Sequence, residues 1–170
     1  MSFLALVPLL PLLTAFIVMT GDRAEQDQNA RAGLLPVAAA FLGSLIALVA
    51  VTSGDPVTIQ FYDTASVANL AFPIGFYIDR LSAVMMVLIT GVTMLIYRYS
   101  MGYMYQDRGY RRYLGMLGIT TAVLLCMVSS ANLMMLFLFS PLLSYLLYLR
   151  AHNHSHAPAL EGAYKTFTVL

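Results

Sequence analysis

FYIDRLSAVMMVLITGVTMLIYRYSMGYMYQDRGY, Phe76 to Tyr110, is the stretch that decides the fold. It opens on the acid-base doublet Asp79-Arg80, runs uncharged for 17 residues from Leu81 to Tyr97, and closes on Arg98, Arg108, Arg111 and Arg112. A run of that length with charge only at its ends predicts a membrane-spanning helix. The tyrosines at its exit, Tyr97, Tyr99, Tyr103 and Tyr105, suit a membrane-water interface, where ring and hydroxyl face different media. The remaining apolar runs are placed by counting outward from this one.

Composition agrees with a lipid environment. Of 170 residues, 60% are hydrophobic and only 10% charged, whereas soluble domains carry about 25% charged residues. No basic surface exists beyond the loops, which excludes a nucleic-acid partner. The single cysteine, Cys126, lies in an apolar run, so neither a disulfide framework nor a cysteine-based metal site is available. The eleven methionines read as packing residues.

Upstream, Phe3 to Met19 is an apolar run without a preceding Lys or Arg, interrupted by Pro8 and Pro11. It reads as a retained helix bent near those prolines rather than a signal peptide. A polar loop, Thr20 to Arg31, leads to a second span, Leu34 to Val51. Its small residues, Ala38 to Ala40, Gly43, Ser44 and Ala47, permit close helix approach. Gly54-Asp55-Pro56 signals a turn, Val57 to Phe61 alternates like a strand, and Ile74 to Ile78 can pair with it. Downstream of the deciding stretch come a fourth span, Tyr113 to Val128, a turn at Ser129 to Asn132, and a fifth span, Leu133 to Leu149, with Pro141 near its middle. Leu160 to Leu170 reads as the start of a sixth helix, too short to cross by itself.

The expectation is an all-α membrane protein, a single membrane domain over 1–170. It has five transmembrane helices plus the start of a sixth, and a small extracytoplasmic β-hairpin between helices 2 and 3. If the spans alternate, Arg23, Arg31, Arg98, Arg108, Arg111, Arg112, Arg150 and Lys165 share one face, and only Arg80 lies on the other. The positive-inside rule then makes the basic face cytoplasmic and puts the N-terminus and hairpin outside. A multi-pass membrane location is expected.

Candidate chemistry is sparse. His152-Asn153-His154-Ser155-His156 spaces three imidazoles as His-x-His-x-His, either a polar connecting loop or a relay or partner-binding loop. A fourth ligand is missing nearby, so no metal site is assigned. Glu161 and Lys165 stand four apart in the incipient sixth helix. They are an exposed ion pair, or, with Lys165 at membrane depth, part of a proton or ion pathway. Asp79-Arg80 reads as an interfacial ion pair or an anchor for the hairpin. Thr90, Thr93, Thr120 and Thr121 are expected to bond back to their own helices or across to neighbours. No nucleophile-base pair, phosphate loop or dinucleotide fingerprint is present. Nothing in these residues points to a catalyst or to a cofactor in this chain.

Several of these residues together resemble a known family. Gly75-Phe76-x-x-Asp79-x-Leu81-Ser82, the span ending at Tyr97 to Met104, and Gly109-Tyr110-x-Arg112-Tyr113 are similar to the proton-conducting antiporter-like subunits. These comprise the subunit L (subunit 5) type of respiratory complex I and the large subunits of multisubunit cation/proton antiporters. Asn132-Leu133, Ser144 to Leu147 and Ala163 to Phe167 fit the same pattern, so the chain looks like an N-terminal part of such a subunit. Respiratory members carry a Trp-Glu pair in the middle of the fifth span, where this chain reads Phe139-Ser140-Pro141. With Leu142 to Leu147, Ala151 to His154 and Glu161 to Ala163, it looks more like the membrane subunit of two-component inorganic carbon transporters. That resemblance implies ion-coupled, in particular proton-coupled, bicarbonate or CO2 uptake. It also implies a large peripheral, carbonic-anhydrase-like subunit on the cytoplasmic side that carries zinc. The family's members have many more spans, so either this chain is a truncated member or another chain supplies further helices. The rival readings are a subunit of NADH-quinone oxidoreductase or of a multisubunit cation/proton antiporter, and a non-conducting anchor for a cytoplasmic partner.

Overall fold

A computed structural model describes residues 2–21, 26–54, 57–62, 74–104 and 109–151. The first apolar run divides at its prolines. Ser2–Leu9 is a 3-10 helix containing Pro8, and α1, Leu10–Thr20, follows with proline in its first turn. Proline lacks the N–H that an α-helical ladder requires, so the α pattern starts only where that loss falls among the unpaired first-turn amides. The 3-10 segment also lengthens the run. At about 2.0 Å per residue before Leu10 and about 1.5 Å after it, the two pieces reach roughly 32 Å, enough for the ~30 Å hydrocarbon core.

The other helices are α2 (Gln26–Ser53), α3 (Arg80–Tyr103), α4 (Tyr110–Val128) and α5 (Leu133–Ala151). Among the described residues four helices are long and apolar enough to cross a membrane, and Leu6–Thr20 is a shorter apolar helix. Helix ends and span ends do not coincide. α2 begins inside the stretch read as a polar loop, and α3 continues six residues past Tyr97. Charge marks where the hydrocarbon ends, but Gln, Arg and Ala remain good helix formers in water, so the helices project beyond it.

Packing is cyclic. α1 lies against α2 and α4, α2 against α3, and α3 against α4, while α5 packs chiefly on α4. The core has two levels. At one end Val7, Ala47, Val51, Ile78, Ala83, Met86 and Leu125 come together. At the other are Val18, Ala30, Val37, Tyr97, Tyr110, Leu114 and Leu117. Each cluster takes alternate ends of successive helices, which is the up-and-down order that the charge distribution predicted. The outward faces are apolar: Leu95 is 72% exposed, Phe137 77% and Leu133 83%. Leucine and phenylalanine on the rim, with hydroxyls inside, is the arrangement of a bundle immersed in lipid.

The small residues of α2 do bring helices close. Ala40, Ser44 and Ala47 are fully buried, and a methyl at Gly43 would stand 2.9 Å from Val7 Cγ2. Ala39, by contrast, points outward. Val57–Tyr62 (β1) and Ile74–Ile78 (β2) pair antiparallel, with Val57 opposite Ile78 and a register irregularity between Gln60 and Tyr62. β2 is also tied to the α4–α5 turn: Tyr77 N–H donates to Ser129 O at 2.9 Å, and Ala131 N–H to Gly75 O at 3.2 Å. Strand pair and turn thus share one end of the bundle.

Asp79 caps α3. Its carboxylate accepts from Ser82 N–H at 2.7 Å, and Ser82 Oγ accepts from Asp79 N–H at 2.8 Å, a reciprocal capping box. Asp79 therefore anchors the strand-to-helix junction. The Ser82 amide, then the Ser82 hydroxyl, hold the carboxyl below its ordinary value of 3.8. A depressed folded pKa adds stability above pH 3.8, and that stability is lost as pH falls through the folded value. Asp79→Ala is expected to lower stability by about 1 kcal/mol at neutral pH. Urea titrations at pH 7 and pH 3 check this, since the difference between the two proteins should shrink at the lower pH.

Candidate functional site

α3 builds the polar interior of the bundle. Its buried residues are Ser82, Ala83, Met86, Thr90, Thr93, Tyr97 and Ser100, a three- and four-residue spacing that lines one face. Five of these seven carry hydroxyls. Thr90 Oγ1 and Ser44 Oγ of α2 lie 3.0 Å apart, and Thr93 Oγ1 and Thr121 Oγ1 of α4 lie 3.1 Å apart. The same threonines bond back to their own helices, Thr90 to Met86 O and Thr121 to Leu117 O, each at 2.7 Å. Thr120 bonds only back, to Met116 O at 2.7 Å. Both expected modes are present, sometimes in one side chain.

Tyr97 does not sit at the interface with Tyr99 and Tyr103, and Tyr105 lies outside the described residues. Tyr97 is fully buried, and its hydroxyl donates to Ala30 O of α2 at 3.0 Å. Helical period explains the difference: Tyr97 falls on the Thr90-Thr93 stripe, whereas Tyr99 and Tyr103 turn outward. Those two rings are exposed and stack with centroids 5.7 Å apart, beside the exposed Arg98. They form the aromatic belt expected at this end.

Thr14 of α1 is also fully buried, and its Oγ1 has no hydrogen-bond partner. The bonded and unbonded threonines give opposite expectations. Thr14→Val removes an unsatisfied hydroxyl at nearly constant volume and should raise stability by about 1 kcal/mol. Thr121→Val breaks two bonds and should lower it by a similar amount. Thermal unfolding of the two variants in one detergent tests the sign.

The basic end of the bundle is tied together by arginines. Arg111 reaches the C-terminus of α1: Nε donates to Val18 O at 3.1 Å, and Nη2 donates to Met19 O at 2.8 Å and to Gly21 O. The carbonyls at a helix end have no intrahelical donors and carry its negative pole, so a guanidinium suits them. Arg150, in the last turn of α5, donates to Tyr113 Oη at 2.7 Å, with its guanidinium carbon 4.8 Å from that ring's centroid. Arg112 Nη2 donates to Leu149 O at 3.3 Å. Thus Arg111 joins α4 to α1, and the Arg112, Tyr113 and Arg150 group joins α4 to α5. The sequence showed the basic cluster but not the division of labour within it, because the acceptors lie far off in the chain: main-chain carbonyls about 90 residues away for Arg111, and groups 37 residues away for Arg112 and Arg150.

Glu161, Lys165, His152, His154 and His156 lie outside the described residues. Among the described residues no group of three or more His, Cys, Asp or Glu side chains could hold a metal. Cys126 is buried beside Phe76, with Met135 and Phe139 packed against the pair. The middle of α5 is Phe139-Ser140-Pro141, and the helix continues through the proline.

Comparison with known proteins supplies the lineage. Residues 65–114 match the family model for the N-terminus of chain 5 of NADH-ubiquinone oxidoreductase (complex I). The chain is 33% identical to NAD(P)H-quinone oxidoreductase subunit 5 of Zygnema circumcarinatum chloroplasts, over 87% of its own length and 22% of that protein. It is 32% identical to NAD(P)H-quinone oxidoreductase chain 5 of Synechocystis, over 85% of itself and 22% of that chain. Subunit L of the Neisseria meningitidis NADH-quinone oxidoreductase is 34% identical over 45% of this chain and 11% of that one. The chain thus spans about a quarter of the length of the curated relatives it matches most extensively. Its fold is shared with a chain of the archaeal membrane-bound sulfane sulfur reductase, at a TM-score of 0.76 and 18% identity, covering 99% of this chain and 34% of that one. Along most of its length the chain is thus similar to the N-terminal part of the subunit 5/L type of antiporter-like membrane subunit.

Proposed function

We propose that this chain contributes the ion-coupling membrane portion of an inorganic carbon uptake complex, with protons as the coupling ion. The observation that carries the reading is the middle of α5. Phe139-Ser140-Pro141 stands there, where the respiratory members of the resembled family place a Trp-Glu pair, and no Asp, Glu, Lys or His occurs within α3, α4 or α5. Hydroxyls fill the interior instead, bonded to one another and to main-chain carbonyls. Hydroxyls of this kind fix helix geometry and do not hold charge near neutral pH. The bundle is then a rigid frame, and the ionisable Glu161 and Lys165 and the histidines His152, His154 and His156 form the proton path and the partner-facing loop. The partner is a large zinc-bearing, carbonic-anhydrase-like subunit on the cytoplasmic side. The membrane is the bacterial inner membrane, with the arginine-bearing end cytoplasmic and the N-terminus outside.

A second reading, a subunit of an NAD(P)H-quinone oxidoreductase, is favoured by the identity with subunit 5 along most of this chain. Gentle purification from native membranes separates the two. Co-purification of a zinc protein, with gradient-dependent uptake of labelled bicarbonate in vesicles holding the complex, supports the first. A co-purifying quinone-reducing activity establishes the second. Neither activity, with a cytoplasmic protein still bound, would leave an anchor.

A further inference from the structure

We propose that the basic end of the α4–α5 pair is a binding site for an anionic phospholipid. Arg112 and Arg150 engage the headgroup phosphate, and the outer strip of α5 carries an acyl chain. The proposal is independent of the transport reading above.

Arg111, Arg112 and Arg150 are not equivalent. Arg111 aims Nε and Nη2 at three carbonyls of the α1 terminus. Arg112 is exposed and makes one longer contact, to Leu149 O at 3.3 Å. A guanidinium has five N–H donors, so that contact leaves capacity for a phosphate. Arg150 is held in place by the Tyr113 hydroxyl at 2.7 Å and by the ring beneath it. Leu149, the acceptor for Arg112, is its chain neighbour, so the two cations converge at one helix junction. Neither the first turn of α4 nor the last turn of α5 contains a carboxylate to neutralise them.

The surface next to these charges is apolar. Leu138, Leu142 and Tyr145 are 61%, 41% and 50% exposed, and at i, i+4 and i+7 they form a strip along α5 that ends one turn before Leu149. Two cations at the head of a greasy strip fit an amphiphile with a phosphate at one end. Free phosphate would use only the head, and an apolar protein helix would use only the strip. Charge complementarity selects anionic lipid over zwitterionic lipid, because each juxtamembrane arginine strengthens attraction to anionic headgroups.

Native mass spectrometry of the full chain, released from detergent with phosphatidylglycerol or phosphatidylcholine, tests the assignment. Wild type should retain phosphatidylglycerol at least ten-fold more strongly than phosphatidylcholine, and Arg112→Gln should reduce that preference several-fold. Arg112→Gln with Arg150→Gln should abolish it, while Arg98→Gln, at the same end but off this junction, should leave it unchanged. Because Arg112 is exposed, its single variant tests the site even if the double variant fails to fold. Equal retention of the two lipids by wild type, or an unchanged preference in Arg112→Gln, would overturn the proposal. So would displacement of the lipid by millimolar inorganic phosphate, or a protein helix found seated on α5 in its place.

Discussion

Gly118→Ala should lower the stability of the bundle by about 1–3 kcal/mol, the ordinary cost of overpacking a tight contact. Gly118 is where α4 touches α1. A methyl there would stand 2.8 Å from Pro11 O, 3.2 Å from Thr14 Cβ and 3.3 Å from Ala15 N. Two of these atoms are backbone and the third is a β-carbon, so no flexible side-chain end can yield. The helices would have to separate, and in lipid only packing and hydrogen bonds hold them together. Gly102→Ala is the matched control, since nothing lies within 4 Å of its added carbon. Unfolding in a fixed detergent should show a large loss at 118 and none at 102. Equal effects would mean that α1 and α4 do not meet as described.

Arg111→Lys is the second large effect, although it preserves charge. The guanidinium reaches three carbonyls from two of its nitrogens, a geometry that a single ammonium cannot reproduce. Hydrogen bonds from a charged donor contribute about 1.5–3 kcal/mol, and most of that should be lost. The loss should be local as well as global. Gly115 faces Met19 across the α1–α4 contact, so disulfide formation between cysteines at 19 and 115 should slow in the Arg111→Lys background. An unchanged crosslinking rate would show that α1 is held by its packing alone.

Much of this architecture was legible in the chain. The uncharged run Leu81 to Tyr97 and the sorting of arginines to one end follow from the cost of burying charge in hydrocarbon, and they fixed span number and order. Val57 to Phe61 and Ile74 to Ile78 announced a strand pair by alternation, and they do pair. The roles of Tyr97 and Arg111 were less accessible. A tyrosine at the end of a span looks like an interface residue until the neighbouring helix brings Ala30 O to it. An arginine in a basic loop looks like a topology signal until the fold brings the end of α1 beneath it. Both depend on main-chain acceptors, and every residue has a carbonyl, so sequence gives no hint of which one will be used. Helix ends were misplaced for a related reason: apolarity reports the lipid boundary, whereas backbone hydrogen bonding continues past it in α2 and α3.

Five crossings with opposite ends on opposite faces is the statement beneath all of these. Single cysteines at 109 and 131, in a Cys126→Ala background, can be tested with a membrane-impermeant maleimide on right-side-out and inverted vesicles. Position 109 lies at the arginine-tied end and position 131 at the turn that holds β2. Each should be modified in one vesicle orientation only, and the two orientations should differ. Modification of both positions from the same side would contradict it.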